Sequence, residues 1–315
     1  MKLVFCGTPF FAVPALKQLL RAGHSVELVV TQPDRAAGRA REVAEPAVKV
    51  AAKEAGLAVV QPEKIKNNPE FRSRLEAIGP DAIVVVAYGR IIPKWMLDLA
   101  PLGNLNLHAS LLPKYRGAAP IQWAVANGEA TTGTTTMRID EGLDTGAILL
   151  QRELAIAPDQ TAEDLFPLLA ESGASLMVET LEGLAPGAAQ PLQPIPQDER
   201  LASLAPILRR EDAQIDLSRS AQQIYNRWRG FQPWPGAYTF FRGQKLTIHR
   251  LMPIEGTLPA RPPGSLSTDG GRMFVASGHS SWLELIEVQL EGRKRLAAAE
   301  FLRGFPPHAD ERLGR

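Results

Sequence analysis

Asn106 and His108 stand two residues apart in the run GNLNLHASLLPKYRGAAP that begins at Gly103. On a strand, residues at that spacing project from one face, so an amide and an imidazole lie side by side where the strand ends. That pairing suits catalysis; the bland alternative is a histidine satisfied beside a turn. A second element bears on the choice. Ile139-Asp140-Glu141-Gly142-Leu143-Asp144-Thr145-Gly146 follows a candidate strand, Thr132–Arg138, and forms an acidic turn bracketed by glycines. Asp144 reaching His108 would hold the imidazole's orientation and favour its charged form, the usual task of a carboxylate behind a catalytic histidine. Asp140 and Glu141 are equally available, and sequence by itself does not choose among the three carboxylates.

The elements that must position these groups are legible as an alternation of apolar runs and helical spacings. Candidate strands are Lys2–Gly7, Ser25–Gln32, Leu57–Gln61, Asp81–Tyr88, Asn104–His108 and Thr132–Arg138. Ile83-Val84-Val85-Val86-Ala87 is continuously apolar, as a strand covered on both faces should be. Pro9–Ala22, Pro46–Ala55, Pro69–Ile78, Ala119–Asn127 and Thr161–Ala185 carry helical spacing. The order predicts an α/β, Rossmann-like, mostly parallel sheet over residues 1–185, with ligands beyond the carboxyl ends of its strands. Pro186–Pro206 holds five prolines and reads as a linker. Residues 207–315 suggest one short helix around Ser220–Arg229 and a small, OB-like antiparallel β-barrel, from Thr239–Phe241, Lys245–Arg250, Met273–Ala276 and Trp282–Glu287.

Composition bounds the function classes. The 315 residues are 45% hydrophobic and 22% charged, an ordinary globular mixture that argues against disordered and fibrous classes. No apolar run reaches the ~18–20 residues of a membrane span, and MKLVFCGTPFF does not resemble a secretory leader. A single cysteine, Cys6, forms neither an internal disulfide nor a zinc cluster, which points to the cytoplasm. The net charge of +1 hides an asymmetry, −4 over residues 1–208 and +5 over 209–315, the pattern of a polyanion-binding appendage at the back end but also within the scatter of ordinary surfaces.

Other motifs carry less. The turn after the first strand, Cys6-Gly7-Thr8-Pro9, lacks the G-x-G-x-x-G that brings a backbone close to a pyrophosphate, so a nucleotide at this turn is not expected. Cys6 reads as a small buried apolar residue. Arg35, Arg39 and Arg41 sit in the glycine-containing stretch QPDRAAGRAR and, taken alone, describe a solvated connection. Phe231-Gln232-Pro233-Trp234-Pro235-Gly236 fits a proline-locked turn at the seam between domains better than a base-stacking platform.

The segments HASLLPKYRGAAPI and DEGLDTG, with Asn106, His108 and Asp144 in that order, closely resemble the formyltransferase family that uses 10-formyltetrahydrofolate. VVTQPDRAAGR, VVVAYGRIIP and FQPWPGAYT extend the similarity over nearly the whole chain, towards the branch that formylates the methionine amine of initiator methionyl-tRNA for translation initiation. By that resemblance Asn106, His108 and Asp144 are the catalytic trio. Ser110, Leu111, Leu112 and Pro113 would line the folate site, flanked by the backbone of Tyr88, Gly89, Arg90, Ile91 and Ile92 and by the loop Asp140, Glu141, Gly142, Leu143. Arg35, Arg39 and Arg41 would engage the acceptor end of the tRNA. Residues 1–185 become the formyltransferase domain, 186–206 the linker and 207–315 the tRNA-binding module. The resemblance implies 10-formyltetrahydrofolate as formyl donor, no metal, no membrane, and a monomer. The chain departs from the family pattern at Ala40-Arg41-Glu42 and at Leu217. Two other classes compete: the same chemistry on a small amine, such as an amino sugar nucleotide or glycinamide ribonucleotide, and a tRNA- or folate-binding protein without activity.

Overall fold

Strand β1 (Lys2–Gly7) is apolar from Leu3 to Cys6, and those four side chains are fully buried. A strand of this kind belongs in the middle of a covered sheet. The chain then runs through α1 (Val13–Arg21), with a proline in its first turn, to β2 (Ser25–Val30). A short antiparallel pair follows, β3 (Arg35–Ala37) and β4 (Glu42–Ala44). Next come α2 (Ala47–Glu54), β5 (Val59–Val60) and α3 (Pro69–Ile78). Helix α3 starts where the sequence places its signals: Asn68 Oδ1 accepts the Phe71 N–H at 3.0 Å, Pro69 opens the first turn, and Gly79 closes the helix at φ +56°. Strand β6 (Ala82–Val86) is buried throughout, and α4 (Lys94–Leu97) leads to β7 (Asn104–His108), whose ends coincide with the sequence expectation. The remaining elements of this half are α5 (Pro120–Ala126), β8 (Thr131–Arg138), β9 (Ile148–Ala155) and α6 (Ala162–Leu184).

The sheet order is β5-β2-β1-β6-β7-β8-β9. Strands β5, β2, β1, β6 and β7 are parallel, while β8 runs antiparallel to both β7 and β9. The order reverses between β1 and β6, which opens a crevice beyond their carboxyl ends, and β7 ends beside it at His108. Strand β9 has no counterpart in the sequence expectation. It is an edge strand with Gln151, Glu153 and Ala155 exposed, so it lacks the apolar run that marks the central strands.

The computed structural model describes residues 1–37, 42–254, 258–308 and 310–314, which group into two units. Unit 1 comprises Met1–Pro120, Thr131–Ala155 and Leu165–Pro206; unit 2 comprises Ile121–Ala130, Ile156–Asp164 and Ile207–Arg315. Two findings differ from the expected division. Residues 121–130 and 156–164 group with the C-terminal half: Trp123 packs edge-on against Phe231 at 5.4 Å, and Arg229 donates to the Gln160 carbonyl at 2.7 Å. The proline-rich stretch expected as a linker groups with unit 1. Ile148 and Ile195 exchange two backbone hydrogen bonds of 2.8 Å, and Ala205 N–H donates to Arg116 O at 2.7 Å. Prolines remove helix and sheet ladders but leave the intervening N–H and carbonyl groups free to pair elsewhere.

Unit 2 contains α7 (Ala221–Gly230), opened by a Ser220/Gln223 capping box, and the strands β10 (Tyr238–Phe241), β11 (Gln244–Pro253), β12 (Leu266–Asp269), β13 (Arg272–Ser277), β14 (Ser281–Leu290) and β15 (Leu296–Ala297). They form one antiparallel sheet in the order β10-β11-β14-β13-β12, with β15 on β14. Its core joins Phe241, Leu246, Met273, Leu283 and Leu285 to Phe301 of α8 (Ala298–Gly304). Phe231 is buried, whereas Trp234 is half exposed. Among the described residues no helix is long and apolar enough to cross a membrane.

Candidate active site

Strand β7 places Asn106 and His108 on one face at its carboxyl end, held between β6 on one side and β8 on the other. Helix α6 sets the depth of the strand from behind. Gly173 faces Leu107 so closely that a Cβ added there would meet Leu107 Cδ1 at 2.7 Å. His108 is 5% exposed, while Asn106 is only half buried and its carboxamide has no hydrogen-bond partner among the described residues.

Both nitrogens of His108 face identifiable groups. Nε2 lies 2.9 Å from the Tyr115 carbonyl, and a carbonyl only accepts, so Nε2 carries the hydrogen. Nδ1 faces Asp144 Oδ2 at 3.7 Å, beyond direct hydrogen-bond distance. The same Oδ2 accepts the Gly117 N–H at 2.9 Å. The orientation of the ring therefore rests on the Tyr115 carbonyl, and the carboxylate stands behind Nδ1 as a counter-charge with a gap between them. Of the three candidate carboxylates, Asp144 is the one brought to His108. Asp140 instead accepts from Gly142 N–H at 3.0 Å and Thr145 Oγ1 at 2.7 Å within its own loop, and Glu141 lies 3.8 Å from the exposed Lys94 ammonium. Asp144 takes a left-handed backbone, φ +53°, which costs a non-glycine residue energy and is sustained by its surroundings.

The turn after β7 is fixed by side chains from β8 and β9. Thr135 Oγ1 donates to Ser110 O at 2.6 Å and accepts from Leu112 N–H at 3.1 Å; Gln151 donates to Leu112 O at 2.9 Å. Ser110 Oγ is spent on the Lys114 carbonyl at 2.6 Å. Ser110 and Leu112 are buried in this turn, whereas Leu111 and Pro113 are partly exposed. Gly117 follows at φ +122°, where a Cβ would meet the Ala205 carbonyl at 2.7 Å.

The second loop of the crevice, Tyr88–Ile92, follows β6. The Tyr88 side chain is buried, and its carbonyl accepts from Thr8 Oγ1 at 3.1 Å and Gln32 Nε2 at 3.0 Å. Arg90 is turned away onto the Glu63 carbonyl at 2.6 Å. The backbone N–H groups of Gly89–Ile92 pair with nothing among the described residues, and Ile91 is 91% exposed. Leu143, on the acidic loop, is 63% exposed. Free backbone donors beside exposed apolar side chains suit a flat, polar-edged heterocycle.

Arg35 is exposed on β3, and Arg39 and Arg41 lie outside the described residues. The base of the β3–β4 pair is tied down by Lys49, whose ammonium lies 2.6 Å from Asp34 and 2.8 Å from Glu45, and these contacts hold both carboxyls below their ordinary range. Sequence reasoning missed Thr135, Gln151, Tyr115 and Gly117 as supports, and Arg116, Gln197 and Glu199 entirely. Arg116 lies inside the quoted KYRGAAP run, but its partners are more than 80 residues away, out of reach of any spacing argument.

The formyl transferase family model matches residues 1–181, and the formyl transferase C-terminal domain model matches residues 207–306. The chain belongs to the formyl transferase family. Among its family relatives are proteins named methionyl-tRNA formyltransferase from Acidobacterium capsulatum (65% identical, 100% of both chains), Koribacter versatilis (59%, 100% of this chain and 99% of that one) and Solibacter usitatus (52%, 100% and 99%). Solved structures at 17% identity share the fold. An N-formyltransferase from Helicobacter canadensis, in complex with folinic acid and dTDP-3-aminofucose, superposes with a TM-score of 0.66 over 90% of this chain and 98% of that one. HypX from Aquifex aeolicus, in complex with tetrahydrofolic acid, gives 0.61 over 99% of this chain and 48% of that one.

Proposed function

We propose that this formyl transferase moves the formyl group of 10-formyltetrahydrofolate to the free amine of methionine on initiator methionyl-tRNA. The acceptor assignment rests on full-length relatives of that name at 52–65% identity. The observation that carries the chemistry is the placement of Asn106, His108 and Asp144 together at the carboxyl end of β7.

The reaction sets the requirements. The neutral amine attacks the formyl carbon, giving a tetrahedral intermediate with an oxyanion and a cationic nitrogen; the C–N10 bond then breaks and a proton passes from the amine to N10. Asn106, with its carboxamide uncommitted, donates to the oxyanion. His108, held through Nε2 on Tyr115, presents Nδ1 as the edge that carries a proton to and from the reacting atoms. Asp144, 3.7 Å behind Nδ1, compensates a charged ring and leaves space for a water or a substrate oxygen in the relay. Leu111 and Pro113, the free backbone of Gly89–Ile92, Ile91 and Leu143 receive the folate. Arg35, Arg39 and Arg41, with the basic residues of 207–315, meet tRNA phosphates.

Incubation with 10-formyltetrahydrofolate and a mixture of initiator methionyl-tRNA, an amino sugar nucleotide and glycinamide ribonucleotide tests the assignment. Formyl transfer to the tRNA ahead of both small amines is expected; preferential formylation of either small amine would reject the acceptor. Affinity for tRNA should fall by about one decade per decade of salt for each phosphate contacted, and folate affinity should not.

A further inference from the structure

Gln197 ties together the two loops that carry the partners of His108. Its Nε2 donates to the carbonyls of Asp144 and Gly146, each at 2.8 Å. Its Oε1 accepts from Arg116 Nε at 3.0 Å and Nη2 at 2.8 Å. The two outer nitrogens of Arg116 also bind both oxygens of Glu199 at 2.8 Å, which holds that carboxyl below its ordinary range. Arg116 is 5% exposed, so these bonds are what permits its charge to be there. The neighbours of Arg116 in sequence are Tyr115, whose carbonyl orients His108, and Gly117, whose N–H holds the Asp144 carboxylate. The backbone repeats the connection. Tyr115 N–H donates to Ser203 Oγ at 2.9 Å, Arg116 N–H to Ser203 O at 2.8 Å, and Ala205 N–H to Arg116 O at 2.7 Å.

The geometry points to Gln197 as a positioning residue for formyl transfer: clamped by Arg116, it fixes the left-handed Asp144 opposite His108 Nδ1. The segment 195–205 is thus a strap over the catalytic loops. Among the described residues the Asp144 side chain hydrogen-bonds only to the Gly117 N–H, and the two bonds from Gln197 to the carbonyls of Asp144 and Gly146 hold the backbone of this loop. A shift of the carboxylate by about 1 Å is enough to cost on the order of 10²-fold in rate.

This inference rests on the proposed role of Asp144, and the test separates the two. Gln197→Glu keeps an oxygen for Arg116 but sets a carboxylate oxygen against two carbonyls. Turnover with methionyl-tRNA is expected to fall at least about tenfold, while the KM for 10-formyltetrahydrofolate moves less than about threefold. In an Asp144→Asn background the same change should cost less than about twofold, because a residue acting through Asp144 has nothing left to position. Thermal unfolding and folinic acid binding on the same samples check folding, and Gln197→Met replaces Gln197→Glu under the same criteria if the latter does not fold. Wild-type turnover in the Gln197 variant, or losses that simply multiply in the double variant, overturns the inference while a slow Asp144→Asn leaves the catalytic reading standing. Wild-type turnover in Asp144→Asn removes the catalytic reading, and this inference with it.

Discussion

The two sides of the crevice are built on opposite principles. On the His108 side, the polar groups around Asn106 and His108 Nδ1 are spent while those two are left open: Thr135 and Gln151 hold the turn after β7, Tyr115 holds the imidazole, and Arg116, Gln197, Glu199 and Ser203 stitch the strap to both loops. On the side proposed to receive the folate, the backbone N–H groups of Gly89–Ile92 are unpaired among the described residues, and Ile91 and Leu143 point apolar surface into solvent. Groups that meet developing charge must be fixed beforehand, since reorganising them at the transition state would forfeit what they stabilise. Groups that receive a ligand must be left unsatisfied, since their pairing and burial are the binding energy.

The contrast can be broken most sharply at Asp144. Asp144→Asn preserves shape and removes the counter-charge behind His108, and turnover should fall by about 10² with little change in folate affinity, read from kcat and KM separately. Thr135→Val keeps volume but leaves Ser110 O, Leu112 N–H and one contact of Gln151 unpaired in a fully buried position. Urea unfolding should show a loss of roughly 1–3 kcal/mol. On the open side, Ile91→Ser should leave stability within about 0.5 kcal/mol, because the side chain is already in water. Its effect belongs in the KM for 10-formyltetrahydrofolate, about fivefold for half an isoleucine no longer covered by ligand. The smallest effect is at the strap's rim. Glu199 has its carboxyl held below the ordinary 4.5 by Arg116, so its contribution is complete above that pH and disappears as pH falls through the depressed value. The difference in urea midpoint between wild type and Glu199→Gln should therefore be constant near neutrality and close on acidification; a difference that persists at pH 2 would contradict the ion pair's part in it.

The sequence was most legible where one local rule governs. β7 runs over the expected residues because Asn-Leu-Asn-Leu-His alternates with the strand period between turns, and α3 because Asn68, Pro69 and Gly79 mark its ends. The Asn106/His108 face followed from strand period alone. Strand β9 escaped because an edge strand alternates weakly, and residues 186–206 were read as a linker because proline composition says what a segment does not form and nothing about what it pairs with. The resemblance pointed to Asp144 where spacing left Asp140 and Glu141 open, and the loop's geometry adds a physical reason, since Asp140 is consumed locally. The Arg116–Gln197 bond joins residues 81 apart in sequence, and only the folded chain shows that one glutamine serves both loops.

The proposed roles of Asn106 and His108 at the end of β7 are tested most directly by single-turnover formylation of initiator methionyl-tRNA at saturating 10-formyltetrahydrofolate. Asn106→Ala and His108→Ala should each lower the rate by at least about 10² with folate binding retained, the first by losing a preorganised donor to the oxyanion and the second by losing the group that carries the proton. Either variant keeping more than about a tenth of the wild-type rate would contradict the assignment.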